Sequence, residues 1–214
     1  MPIPVEQLAK PVLFGRSSSL FTRVARIFAA ETNVDYSFEI LGDLLSTDPG
    51  DYGGNPAMKI PVLRTWQGSW FGALNICREF SRLSDAPPRT AWPEQLDSAL
   101  LANTQELVLV AMSTEVALIL AKAGGGAQSG LHHAKMQASL AGTLTWLEQN
   151  ATTALAALPR DRDLSYLEVT LFCLLTHLEF RQILSVAGHR NLCHFRDTFS
   201  ERPSAQKTTY RFDA

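Results

Sequence analysis

Three consecutive serines, Ser17–Ser19, separate an apolar run from an amphipathic stretch near the start of the chain. A serine hydroxyl at the start of a helix can accept a hydrogen bond from a free backbone N–H and cap the helix. It can also donate to an anion, because the helix dipole and the unpaired N–H groups favour negative charge there. The triplet is therefore interpreted either as a helix cap or as part of an anion site.

The cysteines and histidines do not form the patterns of a metal or disulfide framework. Cys77, Cys173 and Cys193 contain no C-x-x-C pair and cannot all pair with one another. The histidines form no H-E-x-x-H motif, so no metal is expected. Cys77 and Cys173 lie among apolar residues and are expected in the core. A reducing, cytoplasmic compartment is the expected location.

The overall charge argues against nucleic acid as a partner. Nineteen Lys and Arg residues against 21 Asp and Glu residues give a formal net charge of −2 over 214 residues, whereas binding to a phosphate backbone requires a basic surface. Residues 1–10 lack the basic start and apolar run of a signal peptide, and the longest apolar stretch, 107–121, is interrupted by polar residues. We therefore expect neither export nor a membrane span.

The first 83 residues alternate strand-like and helix-like patterns. Short apolar runs with period-two alternation predict strands, and apolar residues at spacings of three and four predict helices. A Gln67-Gly68 pair predicts a hairpin between the last two strands. The predicted order is strand, helix, strand, loop, strand, strand and helix, over residues 11–15, 20–28, 36–40, 60–65, 69–71 and 74–83.

The chain changes character after residue 83. Residues 84–93 carry three prolines and little apolar periodicity, which predicts an extended linker. The rest shows helical patterns without strand-like alternation, with breaks at Gly124-Gly125-Gly126 and Pro159. The sequence therefore predicts a domain over 1–83, a linker over 84–93 and an all-helical domain over 94–214, with helices over 96–122, 128–158, 165–184 and 191–199.

Four segments resemble the glutathione transferase family. Asn55–Leu63, NPAMKIPVL, resembles the family's N-P-x-x-K-V-P-V-L segment, and Phe14–Ile27 resembles its strand-to-helix turn Y-G-S-x-x-S-P-Y-x-R-K-V-R-I. Ser165–Glu168 is similar to its S-x-x-D capping box, and Arg202–Ser204 to its terminal R-P-S. The resemblance covers about Val12–Thr209. It implies an α/β plus all-α fold, in which a thioredoxin-like N-terminal domain precedes an all-helical C-terminal domain.

The resemblance implies a role for the serine turn. Ser19 matches the family's catalytic hydroxyl, with Leu20 in place of the usual proline, while Ser18 is a second candidate because classes of the family place the hydroxyl at different offsets. Glutathione reacts as its thiolate, and a donor at a helix start stabilises that anion. A fall of two units in the thiol pKa corresponds to roughly 2.7 kcal/mol. A pure capping role for the serine remains the alternative.

The resemblance also implies glutathione contacts at Lys59, Ile60, Pro61 and Val62. The family's proline at this position is cis, which would turn the backbone of Val62 towards a peptide ligand, whereas an ordinary proline could simply begin a strand. Lys59 either neutralises a ligand carboxylate or is a solvated lysine.

The sequence departs from the family before the helix over 74–83. Most members carry an acid and a serine there, and these hold the γ-glutamyl end of glutathione. Here Gly72 and Ala73 occupy those positions. Backbone N–H groups could still hold a carboxylate and Asn75 could lend an amide, but each charge-assisted contact that is lost removes about 1.5–3 kcal/mol. We therefore expect weak glutathione binding, which restoring the acid and the serine should tighten.

The expected function is that of a glutathione transferase-like enzyme, a homodimer in which the thiolate of glutathione is conjugated to a small apolar electrophile or isomerises it. The alternative is a non-catalytic ligand-binding or protein-interaction member of the same fold, which the missing acid and serine favour. Glu106, Ser113 and Glu115 of the first long helix either line a cleft or lie on a solvated face.

Overall fold

The computed structural model describes residues 10–123, 125 and 129–213. Gly124, Gly126 and the first residue of the helix predicted from 128 lie outside the described residues. The chain divides into two compact units. The first contains residues up to Pro88 together with those from Pro203 onward, and the second is Arg89–Arg202.

A four-stranded sheet forms the centre of the first unit. Its strands are β1 (Val12–Gly15), β2 (Ser37–Ile40), β3 (Val62–Thr65) and β4 (Gly68–Phe71), in the order β2-β1-β3-β4. β1 and β2 are parallel, and β3 is antiparallel to both β1 and β4. The four predicted strands are therefore confirmed.

Two helices pack with this sheet. They are α1 (Leu20–Glu31) and α2 (Ala73–Leu83), and a short 3₁₀ helix, Pro49–Tyr52, lies in the loop before β3. The helices share an apolar core with β1 and β3, made by Leu13, Ala25, Ala29, Leu63, Ile76 and Phe80. Burial of these side chains is the main stabilising contribution in the unit.

Gly15 lets α1 approach the end of β1 closely. A Cβ atom at this position would lie 2.5 Å from Cγ2 of Thr22, a residue near the start of α1. Such a distance is well inside van der Waals contact. A side chain here would push the helix away from the strand, so the glycine positions the turn that contains the three serines.

The segment from Pro203 belongs to the first unit, contrary to the predicted second domain over 94–214. Its short helix α7 (Pro203–Lys207) packs on α1. The buried guanidinium of Arg23 donates to the Ala205 carbonyl at 3.1 Å, and its Cζ lies 4.4 Å from the centre of the Tyr210 ring. These contacts join residues about 180 positions apart in the sequence, a pairing that no local pattern reports.

Four long helices build the second unit: α3 (Ala99–Ala123), α4 (Leu131–Ala157), α5 (Tyr166–Arg181) and α6 (Arg190–Ser200). α5 is buried along most of its length. Ser165 caps it by accepting from the N–H of Glu168 at 3.0 Å, and Ser165 also donates to the Glu168 carboxylate at 2.7 Å. This contact differs from a full capping box, in which the acid would return to the backbone N–H of the cap residue.

A small parallel sheet interrupts the predicted linker and the predicted all-helical domain. β5 (Thr90–Ala91) pairs with β6 (Leu164–Ser165), and a 3₁₀ helix, Pro93–Gln95, follows β5. Beside this sheet the Arg89 guanidinium binds the Asp163 carboxylate at 2.7 Å and holds the pKa of that carboxyl down at about 2. Residues 84–93 are therefore not a free linker throughout, because Thr90 and Ala91 pair with β6 within the second unit.

A buried acid and a buried histidine join α3 to α5. Glu115 Oε1 lies 2.7 Å from His177 Nδ1, and the two side chains are 0% and 3% exposed. The other oxygen of Glu115 has no hydrogen-bond partner among the described residues. Of the three polar residues singled out on this helix, Glu115 is therefore in the core, whereas Glu106 and Ser113 are exposed.

We expect Glu115→Gln to change how stability depends on pH. Burial raises the pKa of the Glu115 carboxyl above its usual 4.5, while His177 and Arg181 oppose the shift. The folded state thus keeps this proton to higher pH than the unfolded chain, so the stabilising contribution is complete below about pH 4.5 and is lost as pH rises through the raised pKa. The glutamine side chain of the variant would keep an acceptor for His177 without this titration.

Urea unfolding of both proteins between pH 4.5 and pH 8 measures the effect. The free energy of unfolding of the wild type should fall relative to that of the variant as pH rises. A difference between the two proteins that does not change with pH would contradict this account.

Candidate functional site

The register of the sheet brings three candidate segments to one edge. Val62, the first residue of β3, lies opposite Phe14 of β1 and Phe71 of β4. Because β3 is antiparallel to both neighbours, its start lies beside the ends of β1 and β4. The turn Arg16–Ser19, the segment Lys59–Pro61 and the start of α2 at Gly72 therefore meet at this edge, which we call the site edge.

Ser19 is the N-cap of α1. Its backbone is extended, with φ −90° and ψ 128°, and its Oγ accepts from the N–H of Thr22 at 3.3 Å. The side chain is only half-buried, and its hydroxyl donates no hydrogen bond to the described residues. Ser19 therefore caps the helix and still has a donor for a ligand.

The other two serines of the turn have different surroundings. Ser17 is 1% exposed and its Oγ has no hydrogen-bond partner among the described residues. Its backbone N–H donates to Oδ2 of Asp213 at 2.8 Å. Ser18 is half-buried and makes contacts within the chain. Of the three hydroxyls, that of Ser19 combines accessibility with an unused hydrogen.

Arg16 holds the serine turn against the loop after β2. Its Nε donates to the Leu41 carbonyl at 2.7 Å, and its guanidinium also donates to the Gly42 carbonyl. Both bonds are charge-assisted, which makes them stronger than bonds between neutral groups. The arginine is thus committed to the backbone and supports the turn from outside α1.

Asn55 organises the segment that leads to Pro61. Its side chain is 4% exposed, donates from Nδ2 to the Lys59 carbonyl at 2.8 Å and accepts from the Ala57 N–H at 3.0 Å. The Ile60–Pro61 peptide bond that follows is cis. The Lys59 side chain is exposed. The asparagine of the N-P-x-x-K pattern therefore has a structural role, in closing the turn before β3.

The structure differs from the expectation that Val62 offers its backbone to a ligand. Val62 is fully buried, and β3 has a paired strand on each side, so no free backbone edge remains. Ile60, on the other side of the cis bond, precedes β3 and is half-buried. Its N–H and carbonyl make no backbone hydrogen bond with the described residues. The backbone available at the site edge is therefore that of Ile60.

Gly72 and Ala73 begin α2 without a side-chain cap. Gly72 has φ 82° and ψ 138°, a conformation that side chains strongly disfavour. The amide of Asn75, considered as a substitute ligand, instead donates to the Phe71 carbonyl at 3.0 Å. The first N–H groups of a helix have no partner within the helix. What α2 presents at the site edge is therefore backbone donors, without an acid.

A cavity of about 460 Å³ lies in the second unit, away from any predicted site residue. The end of α3, the first half of α4 and residues 182–184 after α5 line this half-open cavity, with apolar side chains and a few polar ones such as Lys122 and His133. Elsewhere in the described ranges, no cluster of three His, Cys, Asp or Glu side chains could hold a metal ion. None of the described helices has the length and apolarity needed to cross a membrane.

Solved structures show what this architecture is similar to. No protein-family model matches the sequence, and no curated protein matches it. A glutathione S-transferase from Methylobacillus flagellatus KT, solved with GSH bound, is 20% identical and superposes with a TM-score of 0.73, covering 94% of this chain and 100% of its own.

Two further structures agree with the first. A glutathione transferase family member from Pseudomonas fluorescens Pf-5 with bound glutathione is 20% identical, with a TM-score of 0.76 over 94% of this chain and 99% of its own. A glutathione S-transferase from Methylobacterium radiotolerans JCM 2831, in complex with glutathione sulfonate, is 20% identical, with a TM-score of 0.72 over 95% and 97% of the two chains.

These matches extend over nearly the whole chain, so they confirm the predicted fold class. The four-stranded sheet with α1 and α2 is the thioredoxin-like part, and the unit of long helices follows it. At 20% identity the likeness concerns the fold rather than the chemistry. The fold that the resemblance implied is thus confirmed: this chain has the glutathione transferase fold.

Proposed function

We propose that the chain is a glutathione transferase-like enzyme that holds glutathione at the site edge. The observation that carries the proposal is the Ser19 hydroxyl, which caps α1 and keeps an unused hydrogen. It lies at the same edge as the free backbone of Ile60 and the first N–H groups of α2. The structures similar to this chain include transferases with glutathione bound.

The serine turn supplies what a thiol needs in order to react. A free thiol with a pKa near 8.5 is only slightly ionised at neutral pH, and the thiolate is the nucleophile. The Ser19 hydroxyl donates to the sulfur, and the start of α1 favours the negative charge. The thiol proton leaves to solvent, and the thiolate forms a carbon–sulfur bond with a small apolar electrophile. It either displaces a leaving group, which departs with the bonding electron pair, or adds to the electrophile, and the adduct then takes up a proton from solvent.

Backbone groups hold the rest of the peptide ligand in this proposal. The N–H and carbonyl of Ile60 pair with the ligand backbone as an added strand would. The first N–H groups of α2 donate to a ligand carboxylate. The ligand amine lacks the acid found in most family members, because Gly72 has no side chain. Because this contact is missing, we propose that the protein binds glutathione weakly.

A second candidate function is ligand binding without catalysis. Two features of the start of α2 favour it. Gly72 and Ala73 supply no side-chain ligand, and Gly72 has a left-handed φ. In that case Ser19 is a helix cap only, and the site edge receives a different ligand. The two functions differ in whether the sulfur of a bound thiol is ionised.

The proposed setting is the cytoplasm, with a second copy of the chain as partner. Cys77, Cys173 and Cys193 form no disulfide among the described residues, in keeping with a reducing compartment. The long helix α3 leaves Val110 and Leu120 39% and 40% exposed. Apolar side chains on a helix face are suited to burial against a symmetry-related copy.

Replacing Ser19 by Gly and by Thr separates catalysis from capping. Glycine is an adequate N-cap, so Ser19→Gly should cost only a few tenths of a kcal/mol of stability. Because it removes the donor to the sulfur, conjugation of glutathione to a model electrophile should fall roughly tenfold or more. Ser19→Thr keeps a hydroxyl and should retain most of the activity. Equal activity in all three proteins would show that Ser19 only caps α1.

Gly72→Glu, compared with Gly72→Ala, tests the missing acid. Each substitution should destabilise the protein by about 1–3 kcal/mol, because the backbone has a left-handed φ. Only Gly72→Glu supplies an acceptor for the ligand amine, so calorimetry should find it binding glutathione about tenfold or more tighter than Gly72→Ala. Equal affinities would mean that no γ-glutamyl amine reaches α2, and ligand binding without catalysis would then be the better function.

Sedimentation equilibrium tests the proposed homodimer. The wild type should sediment as a dimer at micromolar concentration, and Val110→Glu should shift the equilibrium towards monomer by burying an unpaired charge. An exposed residue of the first unit, as in Asp85→Asn, provides a control that should leave the dimer unchanged. A monomeric wild type would contradict the proposal.

A further inference from the structure

A segment far along the chain reaches the serine turn. After α7, residues 208–213 remain with the first unit, where the Tyr210 ring lies under the guanidinium of Arg23. At the start of α7, the Ser204 hydroxyl donates to the Glu31 carboxylate at the end of α1. The segment is thus attached to α1 at two points before it reaches Asp213.

Asp213 places a carboxylate on the backbone of the turn. Its Oδ2 accepts from the N–H of Ser17 at 2.8 Å. Ser17 precedes the N-cap Ser19 by two residues, and the N–H of Ser19 donates back to the Arg16 carbonyl at 3.1 Å, which closes the turn. The carboxylate therefore binds the backbone two residues before the hydroxyl that is proposed to bind the sulfur.

The start of α1 stabilises one negative charge, but two negative charges there would repel each other. Free N–H groups and the dipole of α1 stabilise negative charge at this end of the helix. Asp213 already supplies such a charge from within the chain. Two like charges held at the same turn repel each other, and the effect is larger at a partly buried site than in water. A thiolate next to Ser19 would meet this repulsion, whereas a neutral thiol or thioether would not.

We propose that Asp213 is a specificity-determining residue, whose carboxylate opposes part of the ionisation that Ser19 promotes and so narrows the preference of the site for a thiolate over a neutral sulfur ligand. This inference rests on the proposed function, because it takes glutathione as the ligand of the site edge. The charged residues Arg16 and Lys59 belong to the segments that meet at the site edge. Arg16 is committed to the Leu41 and Gly42 carbonyls, and Lys59 is exposed at the start of the neighbouring segment. Neither side chain makes a hydrogen bond with Asp213 among the described residues.

Asp213→Asn removes the charge and keeps the shape. The amide oxygen of asparagine can still accept from the N–H of Ser17, so the segment should stay in place. Asp85→Asn makes the same change of charge at an exposed position just after the C-terminal end of α2, whereas the site edge lies at its N-terminal end. It serves as the matched control.

The test compares glutathione with S-methylglutathione, which carries the same carboxylates and amine but cannot ionise at sulfur. Calorimetry at pH slightly above neutral should show Asp213→Asn binding glutathione roughly three- to tenfold tighter than the wild type. The affinity for S-methylglutathione should be unchanged. Asp85→Asn should match the wild type for both ligands.

The outcomes distinguish this inference from the function on which it rests. If the wild type binds both ligands and Asp213→Asn leaves their affinity ratio unchanged, the role of Asp213 is refuted while the glutathione site stands. If both affinities change together, Asp213 only supports the turn. If no protein binds either ligand at millimolar concentration, the proposed function and this inference fail together.

Discussion

The antiparallel placement of β3 between β1 and β4 is the constraint on which the candidate site depends. The single residue Val62 faces Phe14 on one side and Phe71 on the other. This register sets the serine turn, the residues before Pro61 and the start of α2 side by side, although they are distant in the sequence. A one-residue slip of β3 would reverse the faces of its side chains and separate these segments. The closeness of Gly15 to Thr22 then sets where α1 begins.

Local patterns predicted the elements well, because each depends on residues that are neighbours in the sequence. The spacing of apolar residues located α1 and α2, and the hairpin signal at Gln67-Gly68 located the turn between β3 and β4. The serine triplet predicted a helix cap, and the structure assigns that cap to Ser19. The Asn55 contacts explain why an asparagine opens the N-P-x-x-K segment.

What the sequence could not predict depends on pairing between distant segments. Which backbone is free at the site edge, Val62 or Ile60, depends on strand register. The attachment of residues 203–213 to α1 depends on Arg23 and Tyr210, which no periodicity connects. The proline of Arg202-Pro203-Ser204 indicates a helix start, but gives no sign of the surface on which that helix packs. The Glu115 contact with His177 is hidden in the same way, because neither residue interrupts its helix.

The site edge is better equipped for a ligand at the serine turn and at Ile60 than at the start of α2. The cap hydroxyl of Ser19 and the free backbone of Ile60 are suited to a peptide thiol. The start of α2 offers only N–H groups, and Asn75 is used within the chain. In the proposed function, such a site would recognise the backbone and the carboxylates of glutathione better than its amine. A carboxylate from Asp213 at the turn adds a charge that sequence comparison of the turn alone would miss.

An NMR titration of the ¹⁵N-labelled protein with glutathione tests most directly whether the three segments of the site edge form one glutathione site. If glutathione binds at the site edge, the amide resonances of Ile60, Ser19 and Ala73 should shift together with one dissociation constant, because the three segments form one site. Amides around the cavity beside Lys122 and His133 should not move. Shifts confined to that cavity, or no shifts at millimolar glutathione, would contradict binding at the site edge.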